Sequence, residues 1–216
     1  MFNNIDTLIF DMDGTLIDSM NIWHDIDRIF FENHNIPYPD DLEKQIDSLS
    51  FDATAEYFLN NFPLNYTKDE IQKIWRDMSF EFYRDIIPFK KGALEFIKKM
   101  HEKGYKMGIA TSNSRDLVEA LDNRLHISDY IKVIVTNDEV PNGKPAPDIY
   151  LKVAEVLNSK PETCLVFEDV PGGIKAGKNA GMKVCAVQDS GSLNMEEEKR
   201  ALADYFITDY SEINIQ

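Results

Sequence analysis

Residues 8–19 read LIFDMDGTLIDS, an apolar run that ends in two aspartates followed by Gly-Thr. The apolar part predicts a buried β-strand. A buried strand gains nothing from carboxylates at its end, because burying a charge is costly unless the charge is paired or bound to a metal. Gly14 predicts a bend that lets Asp11 and Asp13 face one space. Taken alone, the pattern fits an acidic turn equally well, so the rest of the chain has to decide.

Length and composition indicate a globular protein. The chain has 216 residues, of which 43% are hydrophobic and 28% are charged, enough for one domain with a large core or for a core with an insertion. It contains no basic segment followed by an apolar stretch at its start and no apolar run long enough to cross a bilayer. Cys164 and Cys185 lie in apolar runs and form no C-x-x-C pair, as expected for small buried residues in a reducing compartment. We expect a cytoplasmic protein.

The charge of the chain limits its partners. The formal net charge is -15, and no basic stripe with interleaved aromatic residues occurs. Nucleic acids and anionic membrane surfaces are bound through clustered lysine and arginine, so neither is expected as a partner. We expect a monomer that acts on a small molecule.

Periodicity divides the chain into a helical block and an alternating region. Residues 17–86 show apolar positions at helical spacing and no convincing strand, with helices predicted at 19–34, 51–61 and 67–84. The third helix begins with Thr67-x-x-Glu70, a capping box, and Ser114 is placed to cap a later helix. From residue 87 onwards, helices are predicted at 91–103, 114–125, 147–158, 173–180 and 195–203, and strands at 106–111, 131–136, 163–169, 182–187 and 205–207.

This alternation predicts an α/β fold with a parallel sheet that helices cover on both faces. The opening strand belongs to that sheet, so the helical block is inserted directly after it. We therefore expect a core made of residues 1–16 and 87–216 and an inserted all-helical domain of residues 17–86. The last predicted helix, 195–203, is rich in acid and is expected to be solvated.

Polar residues follow the carboxyl ends of three predicted strands. Asp11 and Asp13 follow the first strand, Thr111 and Ser112 the second, and the Glu168-Asp169 pair a later one. Open parallel sheets bind their ligands at this edge. The convergence favours a functional site over a simple acidic turn.

A cluster of carboxylates cannot stay ionised without a counter-charge. Mg²⁺ provides one, since it is held by one or two carboxylates together with water and phosphate oxygens. Asp11 and Asp169 are the predicted carboxylate ligands. Lys144, in the stretch NGKPAP, can supply a further positive charge.

The turn after the second strand is a candidate phosphate site. Thr111 and the backbone N–H groups of Ser112 and Asn113 lie at a strand-to-helix turn, where phosphate oxygens are commonly held. An aspartate such as Asp11 can attack phosphorus and form an aspartyl-phosphate. A nearby acid such as Asp13 can then protonate the leaving group and later take a proton from the attacking water.

Four motifs in this order resemble the haloacid dehalogenase-like superfamily. They are FDMDGT at 10–15, GIATSN at 108–113, GKPAPDIY at 143–150 and VFEDVPGGIKAGKNAGM at 166–182. Their order and spacing look most like the β-phosphoglucomutase-like phosphatases, which have a Rossmann-like core and a helical cap directly after the first motif. The resemblance runs over essentially the whole chain and is strongest in the core.

The resemblance implies a role for each site residue. The first aspartate of the first motif, Asp11, is the nucleophile in such proteins, and the second, Asp13, is the acid and base. Mg²⁺ is held by Asp11, by the backbone carbonyl of Asp13 and by Asp169, with Glu168 beside the metal. The dehalogenating members lack the second aspartate, so its presence here favours phosphate esters as substrates.

Competing motifs are weaker. Residues 172–178 nearly match a phosphate-binding P-loop, but Asn179 stands where a hydroxyl must reach Mg²⁺. No G-x-G-x-x-G follows the first strand, and no G-x-S-x-G surrounds Ser112. The histidines show no metal-ligand spacing and are expected on the surface or in helix packing: His24, His34, His101 and His126.

Two alternatives to a phosphatase remain, a phosphoryl-transferring mutase and a non-catalytic binding protein. A mutase of this kind needs a cationic cap group for its second phosphate. The corresponding loop, residues 48–51, has no arginine or lysine, although Arg76 or Arg84 would meet the need by reaching inward. Acidic residues also outnumber Arg28 and Lys44 in this part of the chain: Asp25, Asp27, Glu32, Asp40, Asp41, Glu43, Asp47, Asp52 and Glu56. The phosphatase is therefore favoured.

Overall fold

The opening strand lies in the middle of a parallel sheet. The structure, a computed structural model, describes residues 1–46 and 51–214, and of residues 43 and 44 only the backbone. Within these residues the strands are β1 (Thr7–Phe10), β2 (Lys106–Thr111), β3 (Val133–Thr136), β4 (Cys164–Glu168), β5 (Lys183–Val187) and β6 (Tyr205–Ile207). They pair in parallel in the order β3-β2-β1-β4-β5-β6. The carboxyl ends of all these strands therefore lie at one edge of the sheet.

Helices pack on both faces of the sheet. The described helices are α1 (Ile22–Asn33), α2 (Leu42–Ile46), α3 (Phe51–Asn61), α4 (Lys68–Asp85), α5 (Ala93–Glu102), α6 (Arg115–Leu125), α7 (Asp148–Val156), α8 (Pro171–Asn179) and α9 (Glu196–Leu202). Helices α7 and α8 share a buried apolar cluster with Ile9 and Val166. On the opposite face, Phe96 of α5 contacts Phe10 and Phe167, with ring centroids 6.2 and 5.4 Å apart. The predicted α/β fold with a Rossmann-like core is confirmed.

Contacts divide the chain into two units. The core unit consists of Met1–Met20 and Ile87–Gln216, and the helical unit is Asn21–Ile86. The described residues of the helical unit form α1 to α4 and contain no strand. No helix in the described residues is both long enough and apolar enough to cross a membrane.

The two connections to the helical unit are hydrogen-bonded to each other inside the core unit. The Asp18 N–H donates to the Pro88 carbonyl (3.0 Å), and the Lys90 N–H donates to the Leu16 carbonyl (2.9 Å). An antiparallel bridge lies between these two bonds. Residues 17–20, which sequence alone groups with the helical block, are held in the core unit by this pairing.

The helical unit has an aromatic core. Phe30, Phe31 and Phe58 are fully or almost fully buried, and Trp75 is 2% exposed. The Phe58 ring lies 4.9 Å from Trp75 and 5.3 Å from Phe31, measured between centroids. These helix-borne aromatic residues form a core, as their spacing predicts.

Several local predictions are wrong. Helix α1 begins at Ile22 and not at Ser19, and Ile29 lies at the edge of its buried stripe, 37% exposed. The short helix α2 is not apparent from periodicity, because one turn and a half shows no repeat. Ser114 precedes α6 but accepts no capping hydrogen bond. The other predicted bounds lie within two residues of the observed ones.

The capping box of α4 generates a stability prediction. The Thr67 hydroxyl accepts the Glu70 N–H, and the Glu70 carboxylate accepts the Thr67 N–H at 2.7 Å. Replacing Thr67 by alanine removes this acceptor, so the free energy of unfolding should fall by about 1 kcal/mol.

Both tryptophans, Trp23 and Trp75, lie in the helical unit, so their fluorescence during urea unfolding reports on this unit. As a control, Asp69→Asn keeps the cap and removes only a charge in the first turn, which should cost about 0.3–1 kcal/mol at low salt and less as salt is added. If the fall in the free energy of unfolding caused by Thr67→Ala disappears when salt is added, the capping role of Thr67 is contradicted.

Candidate active site

Asp11 lies at the carboxyl end of β1. Its backbone N–H donates to the Phe167 carbonyl (2.9 Å), which extends the β1–β4 pairing by one residue beyond Phe10. The chain then turns at Gly14, whose φ of 70° is a conformation that L side chains rarely adopt. Asp11 is 7% exposed. The first motif therefore continues a central strand and presents a nearly buried carboxylate at its end.

Lys144 joins two of the predicted site carboxylates. Its ammonium donates to Oδ1 of Asp11 (2.5 Å), to Oε1 of Glu168 (2.7 Å) and to the Ala110 carbonyl (3.2 Å). An ammonium has three donors, and these three contacts use them all. Burial alone would lower the pKa of Lys144, but the charges of Asp11 and Glu168 raise it well above its usual value. Lys144 therefore carries a fixed positive charge.

The loop that carries Lys144 is held by Asn179. The side-chain amide of Asn179, at the end of α8, donates to the carbonyl of Pro145 (3.1 Å). Asn179 is the residue at which the P-loop match fails, so in this fold it supports the lysine loop through the amide. Gly177 of the same motif lies against Val184 and Val166, where a Cβ would come within 2.8 Å of the Val184 side chain. The near-match therefore reflects helix–sheet packing.

Glu168 is fully buried, and each of its carboxylate oxygens accepts two hydrogen bonds. Oε1 accepts from Lys144 and from the Tyr150 hydroxyl (3.0 Å). Oε2 accepts the backbone N–H groups of Asp169 (2.8 Å) and Val170 (3.0 Å). A Cβ on Gly173 would lie 1.6 Å from Oε1, so the carboxylate occupies space that only a glycine leaves open.

Asp169 has one satisfied and one orphaned oxygen. Oδ1 accepts the Thr15 hydroxyl (3.0 Å), whereas Oδ2 is buried and has no hydrogen-bond partner within residues 1–46 and 51–214. A Cβ on Gly14 would lie 2.4 Å from this Oδ2. An unpartnered buried carboxylate oxygen is costly, which makes it a natural ligand for a cation.

The carboxylates of Asp11, Glu168 and Asp169 lie close together. One oxygen from each falls within 4.8 Å of the others. Burial and the neighbouring carboxylates raise the pKa of Asp11 to about 7, although Lys144 opposes the shift. Burial, followed by the charges of Asp11 and Glu168, raises the pKa of Asp169 to about 9. The orphaned oxygen and the crowded charge fit a divalent cation with oxygen ligands, and such a cation would remove the repulsion.

Asp13 lies beside this cluster and is held by two donors. The Ser19 hydroxyl donates to Oδ1 (2.6 Å), and the Asn113 side-chain amide donates to Oδ2 (2.5 Å). Asn113 follows β2 and Ser19 lies on the connection to the helical unit, so residues from two segments orient this carboxylate. Both contacts come from the core unit.

The turn after β2, where the sequence predicts a phosphate site, contains an internal hydrogen bond. The Thr111 hydroxyl accepts the Asn113 backbone N–H at 3.0 Å, so that N–H is already used. Thr111 is fully buried at the end of β2, whereas Ser112 is exposed. The Asn113 side chain contacts Asp13, and its backbone N–H contacts Thr111.

The sequence does not predict three hydroxyl groups that donate hydrogen bonds to the site carboxylates: those of Thr15, Ser19 and Tyr150. Thr15 and Tyr150 lie within two of the quoted motifs, FDMDGT and GKPAPDIY, but motif spacing does not reveal which carboxylate each hydroxyl contacts. Ser19 was expected in a helix. The histidines stay outside the carboxylate cluster; His34, for example, contacts the Phe30 carbonyl and the Tyr66 hydroxyl.

Residues 8–187 match a family model that is described as a haloacid dehalogenase-like hydrolase. The chain belongs to this family. Among curated relatives, the phosphorylated carbohydrates phosphatase of Thermotoga maritima is 31% identical over 180 residues, 83% of each chain. Pyrophosphatase PpaX of Bacillus cereus is 30% identical over 183 residues, 85% of this chain and 83% of the relative.

A solved structure supports the same assignment. The crystal structure of a Thermotoga maritima protein assigned as a β-phosphoglucomutase superimposes with a TM-score of 0.83. It is 27% identical in sequence, and the match covers 94% of each chain. The family predicted from four motifs is therefore confirmed, and with it the expectation of an enzyme of the hydrolase class.

Two adjacent glycines of α8 provide a matched test of the Glu168 pocket. Gly173→Ala places a methyl group against the Glu168 carboxylate and should lower the free energy of unfolding by about 1–3 kcal/mol, the usual cost of overpacking. Gly172→Ala meets no atom within 4 Å and should raise that free energy by about 0.4–1 kcal/mol. Urea unfolding followed by circular dichroism compares them, and equal effects of the two substitutions would refute the close contact at Glu168.

Proposed function

We propose that this protein is a Mg²⁺-dependent phosphatase that hydrolyses a small phosphorylated metabolite through an aspartyl-phosphate on Asp11. The observation that carries the proposal is the juxtaposition of Asp11, Lys144 and the orphaned oxygen of Asp169 at the end of the central strand. Family membership and the phosphatase names of two relatives support it.

In the first step, Asp11 attacks the phosphorus atom. Lys144 donates to Oδ1 of Asp11, so the second oxygen, Oδ2, is the one that forms the new bond to phosphorus. The Lys144 ammonium also neutralises charge on the phosphoryl oxygens, since phosphoryl transfer depends mainly on positioning and electrostatic stabilisation. Glu168 and Tyr150 do not react. They hold the ammonium and its carboxylate partner in place.

Asp13 carries the protons. It protonates the leaving alkoxide in the first step and takes a proton from the water that cleaves the aspartyl-phosphate in the second. Both of its oxygens are held, by Ser19 and by Asn113. A serine hydroxyl can donate to an ionised carboxylate and accept from a protonated one, so Ser19 can accompany Asp13 through both states.

Asp11 and Asp169 are the carboxylates that we propose hold Mg²⁺, together with the backbone carbonyl of Asp13. When bound, the metal would supply positive charge to the carboxylates and the phosphate. The family resemblance places Glu168 beside the metal, and one of its oxygens lies within the same 4.8 Å group. Its four hydrogen bonds favour a different role, which is to hold Lys144.

We propose that Thr111 and the Ser112 backbone N–H contact the phosphate oxygens. Asn113 serves the site through its side chain on Asp13. These groups recognise only the phosphate. The two named relatives act, by name, on phosphorylated carbohydrates and on pyrophosphate-type compounds, so the substrate class proposed here is a small phosphorylated molecule.

A mutase is the second candidate, favoured by the similarity to a structure assigned as a β-phosphoglucomutase. Residues 48–50 of the loop in which a cation would be expected lie outside the described residues. Of the two arginines considered for this role, Arg84 forms an ion pair with Asp85, whereas Arg76 lies exposed on α4. Lys68 and Lys73 are also paired with carboxylates of the helical unit. Cations already paired with acids are poorly suited to a second phosphate, which favours the phosphatase.

Asp11→Asn tests the nucleophile. An amide does not form the acyl-phosphate, so phosphate release from p-nitrophenyl phosphate with Mg²⁺ should fall at least about a thousandfold. Asp18→Asn, an exposed aspartate of the same segment, is the matched control and should retain the wild-type rate. Circular dichroism should show both variants folded, and EDTA should abolish the wild-type activity until Mg²⁺ is restored. An Asp11→Asn rate within tenfold of wild type would refute this assignment.

Phosphatase and mutase are separated by β-glucose 1-phosphate supplied with a trace of the 1,6-bisphosphate. A phosphatase should release inorganic phosphate, measured with molybdate, and form little glucose 6-phosphate, measured with a coupled dehydrogenase. Rapid formation of glucose 6-phosphate with little free phosphate would establish the mutase instead.

A further inference from the structure

Lys199 is a buried lysine that the proposed reaction does not use. It lies on α9, which was expected to be acidic and solvated, yet the residue is 0% exposed. Its ammonium contacts the Val187 carbonyl (3.2 Å) and the Ser192 hydroxyl (2.8 Å). Within the described residues no carboxylate forms an ion pair with it. Burying an ammonium costs several kcal/mol, so Lys199 is not explained by stability.

The contact with Lys199 fixes the direction of the Ser192 hydroxyl. An ammonium has only donors, so the hydroxyl oxygen must accept from it, and its single proton is then directed elsewhere. That proton goes to the backbone carbonyl of Asp169, 2.9 Å away. Lys199, Ser192 and Asp169 therefore form a directed chain of hydrogen bonds, and all three are buried.

These hydrogen bonds hold the carbonyl end of the Asp169–Val170 peptide unit, whose N–H end is already held. The N–H of Val170 donates to Glu168, while the carbonyl of Asp169 accepts from Ser192. With both ends of the peptide held, the backbone of Asp169 has little freedom. Its side chain is then set by Thr15 on Oδ1, which leaves Oδ2 directed towards the space beside Gly14.

The turn that contains Ser192 is itself anchored. Asp189 is 1% exposed; its Oδ1 accepts the Gly191 N–H (2.7 Å) and its Oδ2 accepts the Lys90 ammonium (2.5 Å). A hydroxyl can orient a backbone carbonyl only if its own position is fixed. The Asp189–Lys90 pair provides that fixed position.

We propose that Lys199 is a positioning residue for Mg²⁺ binding, which acts through Ser192 on the backbone of Asp169. The inference rests on the proposed function, because it takes Asp169 as a metal ligand. Residues that orient metal ligands from behind typically contribute about 10–100-fold to metal affinity. Loss of Lys199 should therefore lower the affinity for Mg²⁺. At saturating Mg²⁺, the affinity for the phosphate ester should stay unchanged.

The test uses Lys199→Met, which keeps the length of the side chain, and Ser192→Ala, which removes the relay without touching the charge. Two exposed residues provide matched controls. Lys175→Met changes a lysine of α8 that pairs with Glu198 of α9, and Ser190→Ala changes a serine in the same turn as Ser192. Mn²⁺ binding without substrate is followed by the EPR signal of the free ion, with Mg²⁺ as competitor. Both test variants should bind about tenfold more weakly, and the controls within about twofold of wild type.

Kinetics and stability separate positioning from a structural role. With Lys199→Met, the Mg²⁺ concentration for half-maximal rate should rise about tenfold, while kcat at saturating Mg²⁺ stays near wild type. The free energy of unfolding should be unchanged or higher, since an apolar side chain replaces a buried charge. If Lys199→Met does not fold, the Mn²⁺ titration of Ser192→Ala tests the proposal in its place.

Asp169→Asn separates failure of this inference from failure of the proposed function. If Asp169→Asn loses metal binding while Lys199→Met and Ser192→Ala bind like wild type, the positioning role is overturned and the metal site stands. If Asp169→Asn binds metal like wild type, the proposed metal site is wrong and the inference is overturned with it. Weakened binding in all three variants supports both.

Discussion

Asp11, Glu168 and Asp169 place three carboxylates within 4.8 Å of one another at the buried end of a parallel sheet. Such crowding is tolerated only with compensating charge and hydrogen bonds. Lys144 bridges two of the carboxylates, and Tyr150 with two backbone N–H groups satisfies Glu168. Oδ2 of Asp169 is left without a hydrogen-bond partner among the residues that the structure describes. The arrangement therefore fits a divalent cation with oxygen ligands at this position.

The same crowding dictates the backbone around the site. Gly173 and Gly14 leave space for carboxylate oxygens that a Cβ would occupy, 1.6 and 2.4 Å away. Behind Asp169, the turn after β5 holds the peptide carbonyl through Ser192, and that turn is anchored by Lys90 on Asp189. Lys90 also belongs to the paired connections that lead to the helical unit. A small set of carboxylates is therefore supported by four separate segments of the core unit.

Much of this was predictable because it depends on local sequence. Strand bounds within two residues of those observed follow from apolar runs, and the carboxyl ends of parallel strands meet by topology, which brings Asp11, Thr111 and Glu168 to one edge. Other features depend on partners distant in sequence. Lys199 lies on an acidic surface-like helix, and only the tertiary structure shows that it is buried, with its ammonium on the Val187 carbonyl at the end of β5. Ser19, expected in a helix, contacts Asp13 because paired connections hold it in the core unit.

The sequence by itself determined the fold class and the family, because periodicity, glycine positions and four motifs are properties of neighbouring residues. Only the tertiary structure decided which oxygen each group contacts. It showed that each oxygen of Glu168 accepts two hydrogen bonds, while one oxygen of Asp169 has no partner in the described part of the chain. The physical reason is that hydrogen bonds act over about 3 Å, and the residues that meet at this distance are up to 154 positions apart along the chain.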